Sequence, residues 1–133
     1  MPNHSHSLEN DTIIDGTYLV LDFLGEGGMG VVYKVEHTQL NKILALKIIK
    51  TSQLSDSVWQ RFRNEAQAIA RLDHRNVVKI YDMNQTENGR PYYTMDFLIG
   101  VSLADYLKEH KTLPLPQALH IFRQVCSGLA YAH

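Results

Sequence analysis

A glycine-rich segment at residues 25–30, Gly-Glu-Gly-Gly-Met-Gly, carries the first chemical signal in this chain of 133 residues. Gly25, Gly27 and Gly30 have the spacing G-x-G-x-x-G, and glycine lets backbone N–H groups approach a phosphate chain closely. A dinucleotide-binding unit needs a helix directly after such glycines, whereas residues 31–36 are rich in valine and favour a strand. The segment is therefore predicted to be a turn between two strands, which either covers phosphates or is simply a mobile hairpin turn.

A lysine and a glutamate give the second signal. Strand alternation places Lys47 on one face with Ala45, and helical spacing places Glu65 between Phe62 and Ile69 on an apolar face. A carboxylate taken out of water there needs a cation, because burying it alone is costly. Lys47 is the expected partner, since the helix must pack on the preceding sheet. Taken singly, each residue has a plainer explanation, as a solvent-facing edge-strand lysine and as a surface glutamate.

Hydrophobic periodicity predicts the elements that position these residues. Strands are expected over residues 18–24, 31–36, 41–50, 77–82 and 92–97, and the first three form an antiparallel meander. A helix is expected over residues 55–72, with Ser55 or Asp56 as its N-cap. A short helix follows Ser102, and a longer amphipathic helix covers residues 115–133. This order of strands and helices defines an α+β fold class.

Composition and charge limit the classes of function. Thirteen Lys and Arg against fourteen Asp and Glu give a net charge of −1, which argues against a general nucleic-acid binder. No signal peptide and no membrane segment is expected, because the apolar runs are far shorter than the roughly 20 residues that cross a bilayer. His4 and His6 are too few to complete a metal shell. Cys126 is the only cysteine, which excludes an internal disulfide and favours a cytoplasmic location.

Taken together, these features resemble the N-terminal lobe of a protein kinase, in particular the bacterial, eukaryotic-like (Hanks-type) serine/threonine kinases. The resemblance covers residues 18–133 and is carried by residues 24–33, 45–47, 61–65, 72–78, 92–100 and 115–133. It implies a five-stranded antiparallel sheet with one main helix, followed by two helices of an incomplete C-terminal lobe. The implied division is a polar tail at residues 1–14, an ATP-binding lobe at 15–99, and a hinge exit with two helices at 100–133.

The resemblance implies that ATP is the ligand. The residues that it implies for ATP binding are Leu24, Gly25, Glu26, Gly27, Gly28, Met29, Gly30, Val32, Ala45, Lys47, Met95, Asp96 and Leu98. In this family the glycines cover the phosphates, while the lysine holds the α- and β-phosphates and is oriented by Glu65. Three of the others, Leu24, Val32 and Ala45, would enclose the adenine.

The hinge residues and the missing motifs complete what the resemblance implies. Met95 matches the gatekeeper position, and Asp96 and Leu98 would present backbone groups to the adenine edge. The chain ends before the family's catalytic loop, and no Asp-Phe-Gly occurs in it. It therefore contains neither the catalytic base nor the magnesium ligands, so the chain by itself is expected to be inactive, and magnesium is expected only in a full-length kinase.

Two alternatives and one surface remain open. The chain could instead be a non-catalytic nucleotide-binding or regulatory module that docks on another kinase, or a plain interaction domain in which the lysine and glutamate are structural. The sequence identifies no protein substrate. The last helix carries an apolar stripe that predicts self-association. Its residues are Leu115, Leu119, Phe122, Cys126 and Leu129.

Overall fold

The computed structural model describes residues 8–50 and 54–133. Within these ranges the chain has six strands and three helices, which confirms the α+β class. The strands are β1 (Ile13–Ile14), β2 (Tyr18–Gly27), β3 (Gly30–His37), β4 (Lys42–Ile49), β5 (Ile80–Gln85) and β6 (Pro91–Asp96). The helices are α1 (Asp56–Ala70), between β4 and β5, and α2 (Leu103–His110) and α3 (Leu115–Ala132), which follow the sheet.

The strands form a single antiparallel sheet in the order β1-β2-β3-β4-β6-β5. The expected number of five strands is wrong, because β1 adds a sixth by pairing Ile13 with Leu19 and Ile14 with Tyr18. A two-residue strand shows too little alternation to be recognised in a sequence. It lies in the segment assigned to a polar tail. Residues 1–7 of that segment, which include His4 and His6, lie outside the described residues.

The fourth predicted strand begins later than expected, at Ile80 rather than at residue 77. The backbone N–H of Val77 is turned back to the carbonyl of His74, at 3.0 Å. The first hydrogen bond to β6 is made by Lys79, whose N–H donates to the Asp96 carboxylate at 3.0 Å. A turn closed by local hydrogen bonds thus delays the strand, although residues 77 and 78 are β-branched valines.

The two faces of the sheet carry separate apolar clusters, as the period-2 alternation of strands requires. The first cluster, on the face away from α1, consists of Ile14, Tyr18, Val20, Val31, Tyr33, Val35, Leu44, Leu46, Ile48 and Tyr92. The second, on the face that α1 covers, consists of Ile49, Val58, Phe62, Ala66 and Tyr93, with Met29, Ile80, Met83 and Met95 packed against it. Lys47 and Glu65 lie at the border of this second cluster.

Helix α1 begins at a side-chain cap. Ser55 has an extended backbone and its Oγ accepts the N–H of Val58 at 3.4 Å, so of the two predicted caps it is Ser55 that serves. The buried residues Val58, Phe62 and Ala66 recur at helical spacing and attach the helix to the sheet. Their positions fix which way Glu65 points.

Helix α3 contacts the segment that follows α1. A Cβ added at Gly128 would lie 3.4 Å from the carbonyl oxygen of Asn76, so the two backbones are close. The phenol oxygen of Tyr131 accepts the N–H of Asp73 at 3.4 Å, and the side chains of His74 and Ser127 are 3.2 Å apart. Among the described residues, none of the helices combines the length and apolar character that crossing a bilayer requires.

Candidate nucleotide-binding site

The ion pair predicted from the sequence is present. Lys47 Nζ lies 2.8 Å from Glu65 Oε1, and the exposed fractions of the two side chains are 19% and 34%. Tyr93 donates its phenolic O–H to the same Oε1 at 2.6 Å. Burial raises the pKa of the Glu65 carboxyl. Hydrogen bonds from Lys47 and Tyr93, together with the lysine charge, lower that pKa by more than burial raises it. The net pKa lies below the ordinary value, and Glu65 is a carboxylate at neutral pH.

The last glycine of the motif lies directly against Lys47. The register of β3 and β4 pairs Gly30 with Ile49 and Val32 with Lys47. A Cβ added at Gly30 would lie 3.0 Å from the carbonyl oxygen of Ile48 and 3.1 Å from both Cγ and Cε of Lys47. A side chain here would require the carbonyl of Ile48 and the alkyl chain of Lys47 to shift by a few tenths of an ångström, so the position favours glycine.

The glycine segment is the tip of the β2–β3 hairpin rather than a long loop. Strand β2 extends to Gly27, which pairs with Gly30, so the turn consists of Gly28 and Met29. Gly28 has φ of +54°, a left-handed conformation that favours glycine. Gly25 and Gly27 have no atom within 4 Å of an added Cβ, so the hairpin presents an open surface there.

Two contacts tie the hairpin tip to the end of β4. Lys50 Nζ lies 2.7 Å from the carboxylate of Glu26, and its backbone N–H donates to the carbonyl of Met29 at 3.0 Å. The Met29 side chain packs against the α1-side cluster. The tip is thereby held on the same side of the sheet as Lys47.

Of the residues expected around an adenine ring, Val32, Ala45 and Met95 lie on the face of the sheet that carries Lys47. Val32 and Ala45 come from β3 and β4, and the sheet register places Met95 of β6 opposite Ala45. Met95 is half-buried against the α1-side cluster. Leu24 is 44% exposed and Leu98 is 68% exposed, so both are open to solvent.

Asp96 is anchored by both its backbone and its side chain. Its N–H donates to the carbonyl of Lys79 at 3.0 Å, and its carboxylate accepts the N–H of Lys79 at 3.0 Å and the O–H of Tyr81 at 2.5 Å. Burial raises the pKa of Asp96, but these hydrogen bonds and the charges of Lys42 and Lys79 bring it below the ordinary value. The end of β6 is thus fixed to β5 just before Leu98.

Sequence reasoning missed two residues of this neighbourhood, Tyr93 and Lys50. Strand alternation from Met95 places Tyr93 on the α1 side, and this signal was available in the sequence. No comparable signal marks Lys50, whose contact with Glu26 depends on how the hairpin tip bends over β4. In the described ranges, no three His, Cys, Asp or Glu side chains are grouped so that they could hold a metal ion.

An antiparallel sheet with one helix on its face, a glycine hairpin and a lysine–glutamate pair between them is the arrangement of a protein kinase small lobe. Residues 18–133 match the protein kinase domain family, and the chain belongs to that family.

Named relatives agree with this assignment. The chain is 37% identical over 121 residues to the serine/threonine-protein kinase PrkC of Bacillus subtilis, an alignment that covers 90% of this chain and 18% of PrkC. It is 38% identical over 119 residues to PknE of Mycobacterium tuberculosis, covering 89% of this chain and 21% of PknE. The crystal structure of the Mycobacterium tuberculosis PknI kinase domain superposes with a TM-score of 0.78 at 28% identity, covering 96% of this chain and 51% of that domain. The chain therefore spans about a fifth of these curated relatives and about half of a kinase domain.

Proposed function

We propose that this chain is the ATP-binding part of a serine/threonine protein kinase. The contact of 2.8 Å between Lys47 and Glu65, beneath the glycine hairpin, is the observation that carries the proposal. An ammonium held by a carboxylate at the base of a glycine hairpin with an open surface suits a polyphosphate, because an ammonium favours anionic oxygens and glycine lets the backbone approach them closely. The names of the serine/threonine kinases PrkC and PknE support the choice of reaction class.

Each proposed site residue has a task in binding. The hairpin glycines Gly25, Gly27 and Gly30 cover the phosphates with backbone N–H groups, and Lys47, oriented by Glu65, contacts oxygens of the α- and β-phosphates. Apolar side chains on both sides of the adenine, and backbone groups at its edge, complete the site. These residues are Leu24, Val32, Ala45, Met95, Asp96 and Leu98. ATP supplies the phosphoryl group that the full family transfers.

We also propose that these 133 residues do not transfer phosphate by themselves. They contain no Asp-Phe-Gly and no His-Arg-Asp catalytic loop, so they supply neither the base nor the side chains that hold magnesium. Phosphorylation of serine or threonine in a protein substrate, with magnesium, is proposed only for a full-length kinase that has those motifs as well. A cytoplasmic location is proposed with it, because ATP is available there and the lone Cys126 suits a reducing compartment.

Nucleotide titration with a lysine variant tests the proposal. We expect Lys47→Met to weaken the binding of a fluorescent ATP analogue about tenfold or more, because a charge-assisted contact to phosphate is lost. The matched control is Lys42→Met, on the same strand but at its far end, where the ammonium lies over the Tyr81 ring. Calorimetry or fluorescence anisotropy at equal protein concentration measures both.

The outcomes separate the candidate functions. Equal binding by the wild type and Lys47→Met would reject the nucleotide site and favour a plain interaction domain with a structural ion pair. For this chain we expect ATP binding but no transfer of radioactive phosphate from ATP to a generic basic protein. Labelling that Lys47→Met abolishes would overturn the proposed inactivity.

A further inference from the structure

We propose that Tyr93 is a positioning residue for the nucleotide site, whose phenolic O–H holds the Glu65 carboxylate in place for Lys47. The inference rests on the proposed function, since it concerns the orientation of the same lysine. It assigns a purpose to a buried polar group that neither phosphate nor adenine would contact.

The geometry joins three side chains at one oxygen atom. Glu65 Oε1 lies 2.8 Å from Lys47 Nζ and 2.6 Å from the hydroxyl oxygen of Tyr93. The three residues come from different elements, β4, α1 and β6, so the shared oxygen links the helix to two strands. A change in the position of α1 would break both contacts together.

Burial makes Tyr93 the most rigid member of this group. Tyr93 is only 2% exposed, and its ring packs on that of Phe62 with centroids 5.0 Å apart. Lys47 and Glu65 are long, partly exposed side chains, and ion pairs of that kind contribute little because holding both side chains is entropically costly. A phenol that is already fixed loses little further freedom when it donates to the carboxylate. Tyr93 thus provides an anchor that the ion pair lacks.

Because the phenol of Tyr93 is neutral, its hydrogen bond to Glu65 does not compete with phosphate binding, as that of Lys47 does. Lys47 must turn part of its hydrogen-bonding capacity to phosphate oxygens when a nucleotide binds, which weakens its hold on Glu65. Tyr93 carries no charge at neutral pH. Its pKa is raised above the ordinary value, chiefly by burial and also by the neighbouring Glu65 carboxylate. It therefore continues to donate to Glu65, and keeps α1 in place, whatever Lys47 contacts.

The other groups around Glu65 do not duplicate this donor. The β5 residues that face α1, Ile80 and Met83, are apolar and pack in the same cluster. Asp82 of β5 contacts the Tyr18 hydroxyl on the opposite face, Arg63 of α1 lies over the Trp59 ring, and Glu26 of the hairpin tip pairs with Lys50. Removing the phenol therefore leaves Lys47 alone to oppose the effect of burial, so the pKa of Glu65 must rise.

Two adjacent tyrosines make a matched experiment. Tyr92 and Tyr93 are both buried, and each donates to a carboxylate at 2.6 Å, but Tyr92 donates to Asp15 on the other face of the sheet. We would follow the side-chain carboxyl 13C shift of Glu65 against pH in the wild type, Tyr93→Phe and Tyr92→Phe. ATP dissociation constants would be measured for the same proteins at pH 5.5 and pH 8, with thermal unfolding of each. The ratio of variant to wild type at each pH cancels the titration of the ATP phosphates.

We expect Tyr93→Phe to move the Glu65 titration to higher pH and to weaken ATP binding about threefold at pH 8, with a larger loss at pH 5.5. Tyr92→Phe is expected to lower thermal stability while leaving the Glu65 titration and ATP binding unchanged. An unchanged Glu65 titration in Tyr93→Phe, or equal effects of the two variants, would overturn the inference.

The carboxyl titration and the ATP titration fail independently. If the wild type does not bind ATP, the proposed function fails, while the Glu65 titration still decides whether Tyr93 holds the carboxylate. If Tyr93→Phe does not fold, NMR observation of the Tyr93 hydroxyl proton in the wild type tests the hydrogen bond to Glu65 instead. A slowly exchanging proton with a cross-peak to the Glu65 side chain supports the hydrogen bond, and rapid exchange with solvent rejects it.

Discussion

Gly30 and Lys47 show how closely single residues are matched in this lobe. The alkyl chain of Lys47 passes over the position where a side chain of Gly30 would stand, and its ammonium then contacts Glu65. Glycine is therefore favoured at Gly30 by its close neighbours, the carbonyl of Ile48 and the side chain of Lys47, rather than by its own φ. At Gly28, in contrast, it is the positive φ that favours glycine.

Replacing Gly30 tests this difference. We expect Gly30→Ala to lower the free energy of unfolding by about 1–3 kcal/mol, because the methyl group would lie 3.0–3.1 Å from Ile48 and Lys47 and would force them to shift. Urea unfolding measures the loss. Gly25→Ala is the matched control, since its methyl group meets no atom within 4 Å. A stability loss at Gly25 as large as that at Gly30 would contradict the explanation.

Helix α1 is the element that decides whether the site is assembled. Its apolar residues Val58, Phe62 and Ala66 pack on the sheet, and Glu65 lies at the edge of this apolar face of the helix. The side chain of Ser55 starts the helix by accepting a backbone N–H that would otherwise lack an intrahelical partner. The site therefore depends on a cap ten residues before Glu65 in the sequence.

Loss of the cap should weaken the helix as a unit. We expect Ser55→Ala to lower the free energy of unfolding by about 0.5–1 kcal/mol, as for other Ser N-caps. Ser57→Ala removes a hydroxyl 3.3 Å from Ser55 Oγ but keeps the capping oxygen, and is expected to cost less than Ser55→Ala. Thermal unfolding followed by circular dichroism compares the two, and equal losses would show that Ser55 does not act as a cap.

The whole molecule is a two-faced sheet with helices that end on an exposed apolar surface. Helix α3 uses Gly128 and Tyr131 to contact the segment after α1. Five other apolar side chains of α3, Leu115, Leu119, Phe122, Val125 and Leu129, are between 48% and 70% exposed, and Cys126 is also exposed. Surfaces of this kind are usually covered by protein, so self-association of this chain is proposed.

A charged substitution on α3 tests the proposed self-association. We expect the wild-type chain to associate with rising concentration in sedimentation velocity, and Phe122→Lys to reduce both association and the binding of a dye specific for apolar surface. Leu40→Lys is the control, because Leu40 is also 70% exposed but lies in the turn between β3 and β4. A monomeric wild type at high concentration would reject the proposal.

Local sequence patterns determined the order and kind of the elements, and with them the family. Period-2 and helical spacing are properties of neighbouring residues, so β3, β4, α1 and α3 follow from the sequence with bounds close to those observed. The lysine–glutamate pair was also predictable, because a carboxylate on the apolar face of a helix requires a cation. Strand β1 was missed, since two residues carry almost no pattern.

Contacts that depend on the sheet register were decided by the tertiary structure. Alternation along β6 already separates Tyr92 and Tyr93 onto opposite faces, but the pairing of β6 with β4 decides that Tyr93 lies beside Lys47, while Tyr92 contacts Asp15. The close contacts that favour glycine at Gly30 follow in the same way from the register of β3 on β4. Shifting a strand by one residue exchanges its two faces, and local spacing contains no record of which partner residue lies opposite. Residue types and spacing thus determined the lysine–glutamate pair and the face on which Tyr93 lies, whereas the pairing of the strands decided that Tyr93 contacts that pair.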